Sequence, residues 1–341
     1  MFVAEAGLGA GDGHGVVAAG IGRTSSVSEI FLPSSAHPYS HRVVTGLSSV
    51  AVPNEGVTGA DGISIRDDHT YIAETGATAA TLKNLLKQAD SVSDTHLDTA
   101  NQFGKILEVF PNEEESSSDD QVRRHFKTVA PVGDVDYAWT DDNQNAAFAP
   151  MGQWPDANPY AMLAIGGHQY VADAASNTID EVLADGSVRI LAYAPNPPVS
   201  DAVPTCIARG PDHKLYFGTL AFGANFAFGM GGKSPQSKVY RFDPDASSSI
   251  QFLSEADVWA SGFFPITGCG FGPDGFYVTE YWTSLAPPGG GDVVRVAING
   301  DGGAGAVARV WGAWRTLRKL CSTGICSTSE KCPSRSTLLG I

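Results

Sequence analysis

Residues 161–173 read Ala161-Met162-Leu163-Ala164-Ile165-Gly166-Gly167-His168-Gln169-Tyr170-Val171-Ala172-Asp173, and this stretch decides the fold. An apolar run of strand length meets a Gly-Gly-His turn and returns as a second run, the pattern of a β-hairpin. Asn177-Thr178-Ile179-Asp180-Glu181-Val182-Leu183 follows as a third strand. Ala184-Asp185-Gly186-Ser187 turns the chain into a fourth, Val188-Arg189-Ile190-Leu191-Ala192. Four antiparallel strands in about 40 residues make one propeller blade.

The hairpin ends in an aromatic-aliphatic-small-polar tetrad, Tyr170-Val171-Ala172-Asp173, and that tetrad recurs. Phe2-Val3-Ala4-Glu5, Tyr71-Ile72-Ala73-Glu74, Tyr216-Phe217-Gly218-Thr219 and Tyr277-Val278-Thr279-Glu280 are the other copies. The expected fold is therefore all-β, a β-propeller of four-stranded blades. Five blades are recognisable, the first incomplete because its tetrad begins at residue 2 with no strand before it. In the fourth copy Thr205-Cys206-Ile207-Ala208 opens the blade, Lys238–Phe242 continues it, and Ile250-Gln251-Phe252-Leu253 is the expected outer strand. Cys206 and Cys269 fall on inner-strand segments and read as buried thiols.

Insertions gather after the tetrad. The longest, residues 77–102, carries Leu82, Leu85, Leu86 and Ala89 at helical spacing, which predicts a short amphipathic helix over 79–89. Residues 113–120 (EEESSSDD) read as an acidic surface loop. Residues 1–311 are taken as the propeller. Residues 312–341 form an atypical tail with Cys321, Cys326 and Cys332, whose spacing is not a standard zinc pattern.

Composition narrows the function classes. The net charge of -15 excludes a phosphate-backbone binder, which needs clustered Lys and Arg, and favours cationic ligands or metal ions. No stretch approaches the roughly 20 apolar residues that span a bilayer. A signal-peptide pattern is absent from the first residues, where the chain starts inside a repeat. A Gly-x-Ser-x-Gly motif is missing, and His14, His168 and His213 sit in loops or turns without a nucleophile beside them. Gly7 to Gly15 lacks the strand-to-helix context of a dinucleotide loop.

The chain resembles the NHL-repeat and gluconolactonase-like six-bladed propellers, and more closely the ScyD/ScyE family. The resemblance rests on residues 2–7 (FVAEAG), 43–47 (VVTGL), 157–163 (ANPYAML), 170–174 (YVADA) and 202–205 (AVPT). It also rests on Ser261-Gly262 before residues 270–275 (GFGPDG), and it covers about residues 2–311. It implies a six-bladed, secreted, monomeric protein, extracellular or periplasmic, with a leader and a sixth blade that are not recognisable in this sequence. It implies a binding or accessory role at the channel mouth, toward a small molecule or a protein. The alternatives on the same fold are a Ca²⁺-dependent lactonase or esterase and a strictosidine-synthase-like condensing enzyme.

Propeller geometry puts the start of each first strand and the end of each second strand on one face. Asp61, Asn158, Thr205 and Thr267 are thus the expected ligand-binding set, with Tyr281 and Trp282 as aromatic rim. Phe222, Phe226 and Phe228 follow another tetrad and can rim the same mouth. Glu74, Asn158, Asp173 and Glu280 are the candidate metal ligands, hard oxygens of the kind Ca²⁺ takes. The same acids, recurring at strand ends, can equally accept backbone N–H bonds in the adjoining loops.

Overall fold

The computed structural model describes residues 1–9, 20–31, 39–52, 56–67, 69–76, 99–110, 125–148, 154–194, 201–221, 235–281 and 290–312. The predicted helix at 79–89, the acidic loop at 113–120, Phe222, Phe226, Phe228, Trp282, His14 and tail residues 313–341 lie outside them.

Among the described residues, five sheets follow one another along the chain, antiparallel but for one added strand. The first joins β1 (Phe2–Glu5), β2 (Ile21–Phe31), β3 (Tyr39–Val52) and β4 (Gly56–Thr58). The second joins β5 (Ala60–Arg66), β6 (His69–Glu74), β7 (Ile106–Phe110) and β8 (His125–Ala130). Helix α1 (Val132–Asn143) comes next, and no pattern in the sequence announced it. The third sheet holds β9 (Pro159–Ile165), β10 (His168–Asp173), β11 (Thr178–Val182) and β12 (Val188–Tyr193). The fourth opens with β13 (Pro204–Arg209), β14 (Leu215–Thr219) and β15 (Ser237–Phe242).

There the sequence reading needs correction. Gln251–Phe252 is β16, but it does not close the fourth sheet. It pairs parallel to β12 as a fifth strand of the third. The outer strand of the fourth sheet is β17 (Val258–Phe263). The chain thus crosses back to the preceding blade before finishing its own. The fifth sheet joins β18 (Ile266–Gly272), β19 (Gly275–Glu280), β20 (Asp292–Ile298) and β21 (Ala304–Gly312).

The β9–β10 turn shows why the decisive stretch folds as it does. Gly166 and Gly167 have φ of 57° and 90°, and positive φ at both central residues is what a type I′ hairpin turn demands. The inner strands stand side by side: β1 packs on β5, β5 on β9, β9 on β13 and β13 on β18. Between facing sheets lie apolar clusters. Val27, Leu47, Ile72 and Leu107 fill the first interface, Tyr71, Ile106, Val132 and Val171 the second. Ile179, Leu215, Phe217 and Tyr240 fill the third, and Tyr216, Phe263, Phe276 and Val278 the fourth. Each fully buried side chain of this size contributes about 1.5–3 kcal/mol. Radial stacking of four-stranded sheets around inner strands is a β-propeller. Among the described residues, no helix is long and apolar enough to cross a membrane.

A second correction concerns the cysteines. Cys206 on β13 and Cys269 on β18 are not free thiols; they form a disulfide across the fourth interface, Cα–Cα 5.5 Å. Their positions on neighbouring inner strands, 63 residues apart in sequence, give no local signal of pairing.

Candidate functional site at the channel mouth

One irregularity repeats in four sheets and builds the site. Where the inner strand meets the tetrad strand, the ladder skips one residue. Ala60 pairs with Glu74 and Gly62 with Ala73, leaving Asp61 out. Pro159 pairs with Asp173 and Ala161 with Ala172, leaving Tyr160 out. Pro204 and Cys206 flank Thr205 in the same way, and Ile266 and Gly268 flank Thr267. Such a bulge frees a side chain from the ladder and re-aims it, and bulges are frequent beside functional sites. The small residue after each bulge admits the neighbouring strand: a Cβ on Gly62 would lie 2.9 Å from the Tyr160 carbonyl oxygen.

Asp61, Thr205 and Thr267 occupy the bulges. In the third sheet the equivalent residue is Tyr160, which the sequence reading missed. Asn158 lies two residues earlier, with its side-chain oxygen accepting the Gly76 N–H at 2.9 Å. Thr205 donates to the Ile266 carbonyl at 2.5 Å, tying two inner strands together. Thr267 shares a hydrogen bond with Thr279 at 3.2 Å. Tyr281 follows the fifth tetrad, 60% exposed, its N–H donating to the Pro265 carbonyl at 2.8 Å.

Asp61 and Tyr160 sit on the neighbouring inner strands β5 and β9, Tyr281 follows β19, and both Asp61 and Tyr281 act electrostatically on Tyr160. Burial pushes the Asp61 carboxyl up to about 6, against the hydrogen bond from Thr75 that favours its charged form. Burial, the Asp61 charge and Tyr281 push the Tyr160 phenol up to about 12. Behind Asp61, Glu74 is 0% exposed and neither of its carboxylate oxygens has a hydrogen-bond partner. Burial, then the Asp61 charge, raise its proton affinity far above the ordinary carboxylate range.

The other tetrad acids are turned to structure. Asp173 accepts the N–H groups of Asn158, Ala175 and Ser176 at 2.8–2.9 Å. Glu280 accepts the Phe264 N–H at 2.8 Å, and Thr219 accepts the Lys238 N–H at 3.2 Å. The loop into β13 is fixed likewise: Asn177 accepts the Val203 N–H at 2.7 Å and donates to Asp201 at 2.6 Å. Val203 sits there at φ 53°, an unfavourable conformation for a β-branched residue that its partners hold in place.

Calcium is the metal the gluconolactonase-like resemblance implies, and the residues do not fit it. Ca²⁺ takes six to eight oxygen ligands. Asp173, Asn158 and Glu280 commit oxygens to backbone N–H groups. Among the described residues, no three His, Cys, Asp or Glu side chains gather as a metal-binding group.

A separate acid cluster joins α1 to the third sheet. Asp136, Asp173 and Asp180 are all fully buried. Neither oxygen of Asp136 meets an N–H or O–H donor of another residue type. Its neighbours are the other two carboxyls, with which it can hydrogen-bond only by sharing protons. Burial first, and then the neighbouring acids, raise the proton affinity of Asp136 and Asp180. Burial raises that of Asp173 too, partly offset by its N–H donors.

No protein-family model and no curated protein matches the sequence. Solved structures do resemble the chain. A glucose dehydrogenase-type oxidoreductase of Thermus thermophilus is 11% identical, with 85% of this chain and 82% of that one covered and a TM-score of 0.41. Virginiamycin B lyase of Staphylococcus aureus is 14% identical over 85% and 71%, TM-score 0.37. A protein described as a gluconolactonase is 12% identical over 75% and 63%, TM-score 0.38. At these values the likeness is at most one of fold.

Proposed function

We propose that this protein is a secreted, ScyD/ScyE-like binding or accessory propeller, six-bladed when closed. It takes a small molecule or a protein group at the channel mouth and acts there by binding, with no catalysis established. One observation carries the reading: the repeated bulge presents Asp61, Tyr160 and Thr267 at equivalent points of three sheets, with Tyr281 beside them. The Cys206–Cys269 disulfide supports a secreted location, because such bonds persist in oxidising compartments.

The lactonase alternative loses its metal on the fit described above, and no step is derived through it. For the condensing-enzyme alternative Asp61 is the relevant group, since a carboxyl near 6 has the proton affinity of a general base. The test is a thermal-shift screen of neutral, anionic and cationic small molecules, beside a turnover panel of lactones, esters and an arylethylamine with an aldehyde. The expected outcome is stabilisation by at least one ligand, lost in Asp61→Asn or Tyr281→Ala, with no turnover. Turnover abolished by Asp61→Asn would establish an enzyme instead.

A further inference from the structure

We infer that the channel mouth is a site for an organic cation, an ammonium group seated on the Asp61 carboxylate beside the rings of Tyr160 and Tyr281. This rests on the channel-mouth reading and names its ligand class.

Among the described residues, no cation pairs with the charge at the site. Asp61 takes its hydrogen bond from Thr75, an uncharged hydroxyl, at 2.9 Å. Among the described residues, the Lys and Arg ion pairs involve Glu5, Asp67, Asp134, Glu181, Asp212, Glu255, Asp274 and Asp292, and none reaches Asp61 or Glu74. Glu74 supplies a second, independent sign. It is a fully buried carboxyl with both oxygens unpartnered, and its nearest electrostatic neighbour is Asp61. Asp61 opposes charge on this buried carboxyl, and a cation held on Asp61 offsets that repulsion.

The surroundings select an organic cation. A hard metal ion needs a shell of oxygens; Asp173, Asn158 and Glu280 spend oxygens on backbone N–H groups, and among the described residues no three His, Cys, Asp or Glu side chains gather around Asp61. The mouth instead offers one carboxylate and two phenol rings, and the face of an aromatic ring attracts a desolvated ammonium. Thr205 and Thr267 have their hydroxyls engaged and add no competing charge. The net charge of -15 draws cations toward the molecule from a distance.

The test is calorimetric titration of the full chain with choline chloride, with its neutral isostere 3,3-dimethylbutan-1-ol, and with calcium chloride. Saturable choline binding is expected, with the isostere at least about tenfold weaker and calcium not competing. Asp61→Asn should weaken choline by about tenfold or more. Tyr281→Ala should weaken it about 3- to 30-fold. Tyr281 is exposed, so this variant should keep the fold, and circular dichroism is the check for both variants. Equal binding of the isostere, unchanged affinity in Asp61→Asn, or displacement of choline by calcium each overturns the inference. If choline fails while a neutral or anionic compound binds in a Tyr281-dependent way, the binding-protein reading stands and the cation inference falls. If compounds of every charge fail, both fall.

Discussion

The second and third sheets hold their tetrad tyrosines by one device, and the fourth and fifth by its charge-reversed counterpart. Tyr71 and Tyr170 stand across from Glu108 and Glu181. His69 and His168 stack on those tyrosines and bond the glutamates at 2.5 and 2.6 Å. At the same register Tyr216 and Tyr277 face Arg241 and Arg295. The turn acids Asp212 and Asp274 accept the tyrosine hydroxyls at 3.0 and 2.5 Å and pair with the arginines. The halves also differ in what locks them. A buried acid cluster lies between α1 and the third sheet, while a disulfide joins the fourth and fifth. The lesson is that a repeat fixes where an interaction must be made, and leaves its sign and chemistry open.

Four experiments break this comparison, in falling order of effect. Replacing Cys206 with Ser should cost about 4 kcal/mol, the expectation for a loop of this length, measured by urea unfolding. Hydrogen exchange should then rise in β13–β21 and stay unchanged in β5–β8. The acid cluster gives the opposite half a pH dependence. Its carboxyls bind protons more tightly folded than unfolded, so their contribution is full below about pH 4 and is lost as pH rises through the raised folded values. Asp136→Asn should remove much of that loss and gain up to about 3 kcal/mol at pH 8, read from melting curves across pH. A steeper pH dependence in the variant would discard the shared-proton account.

Glu181→Gln should cost about 2 kcal/mol, since a buried acid loses its charge against the partly solvated Arg189 and weakens its hydrogen bond with His168. Arg295→Gln, whose partner Asp274 is exposed, should cost less than about 1 kcal/mol. Equal costs for these two would mean that the two devices do not differ in depth after all.

Much of the fold is legible in the residues because it follows from periodicity and turn chemistry. The Gly166-Gly167 hairpin, the tetrads and the strand pairs around them form as their alternation requires. What escaped had non-local causes. Gln251–Phe252 has the pattern of an outer strand and becomes one, but its partner lies in another sheet. Helix α1 buries Asp136 and Thr140 alongside Val132, and so shows no clean apolar stripe. Cys206 and Cys269 meet only because β13 and β18 are neighbours in space. In the site, Asp61, Thr205 and Thr267 follow from counting along strands. Tyr160 was missed because Asn158 was taken as the residue at the start of the first strand, and only the small residue after each bulge (Gly62, Ala161, Cys206, Gly268) marks the right position.

The bulge has an evolutionary meaning. A residue in the ladder is constrained by two neighbours across the strands, and one left out of it answers to neither. The four sheets already show an acid, a phenol and two hydroxyls there, on an unchanged backbone. The mouth can therefore be rewritten one position at a time, with little penalty to the architecture that carries it. A propeller of this kind changes its ligand more easily than its fold.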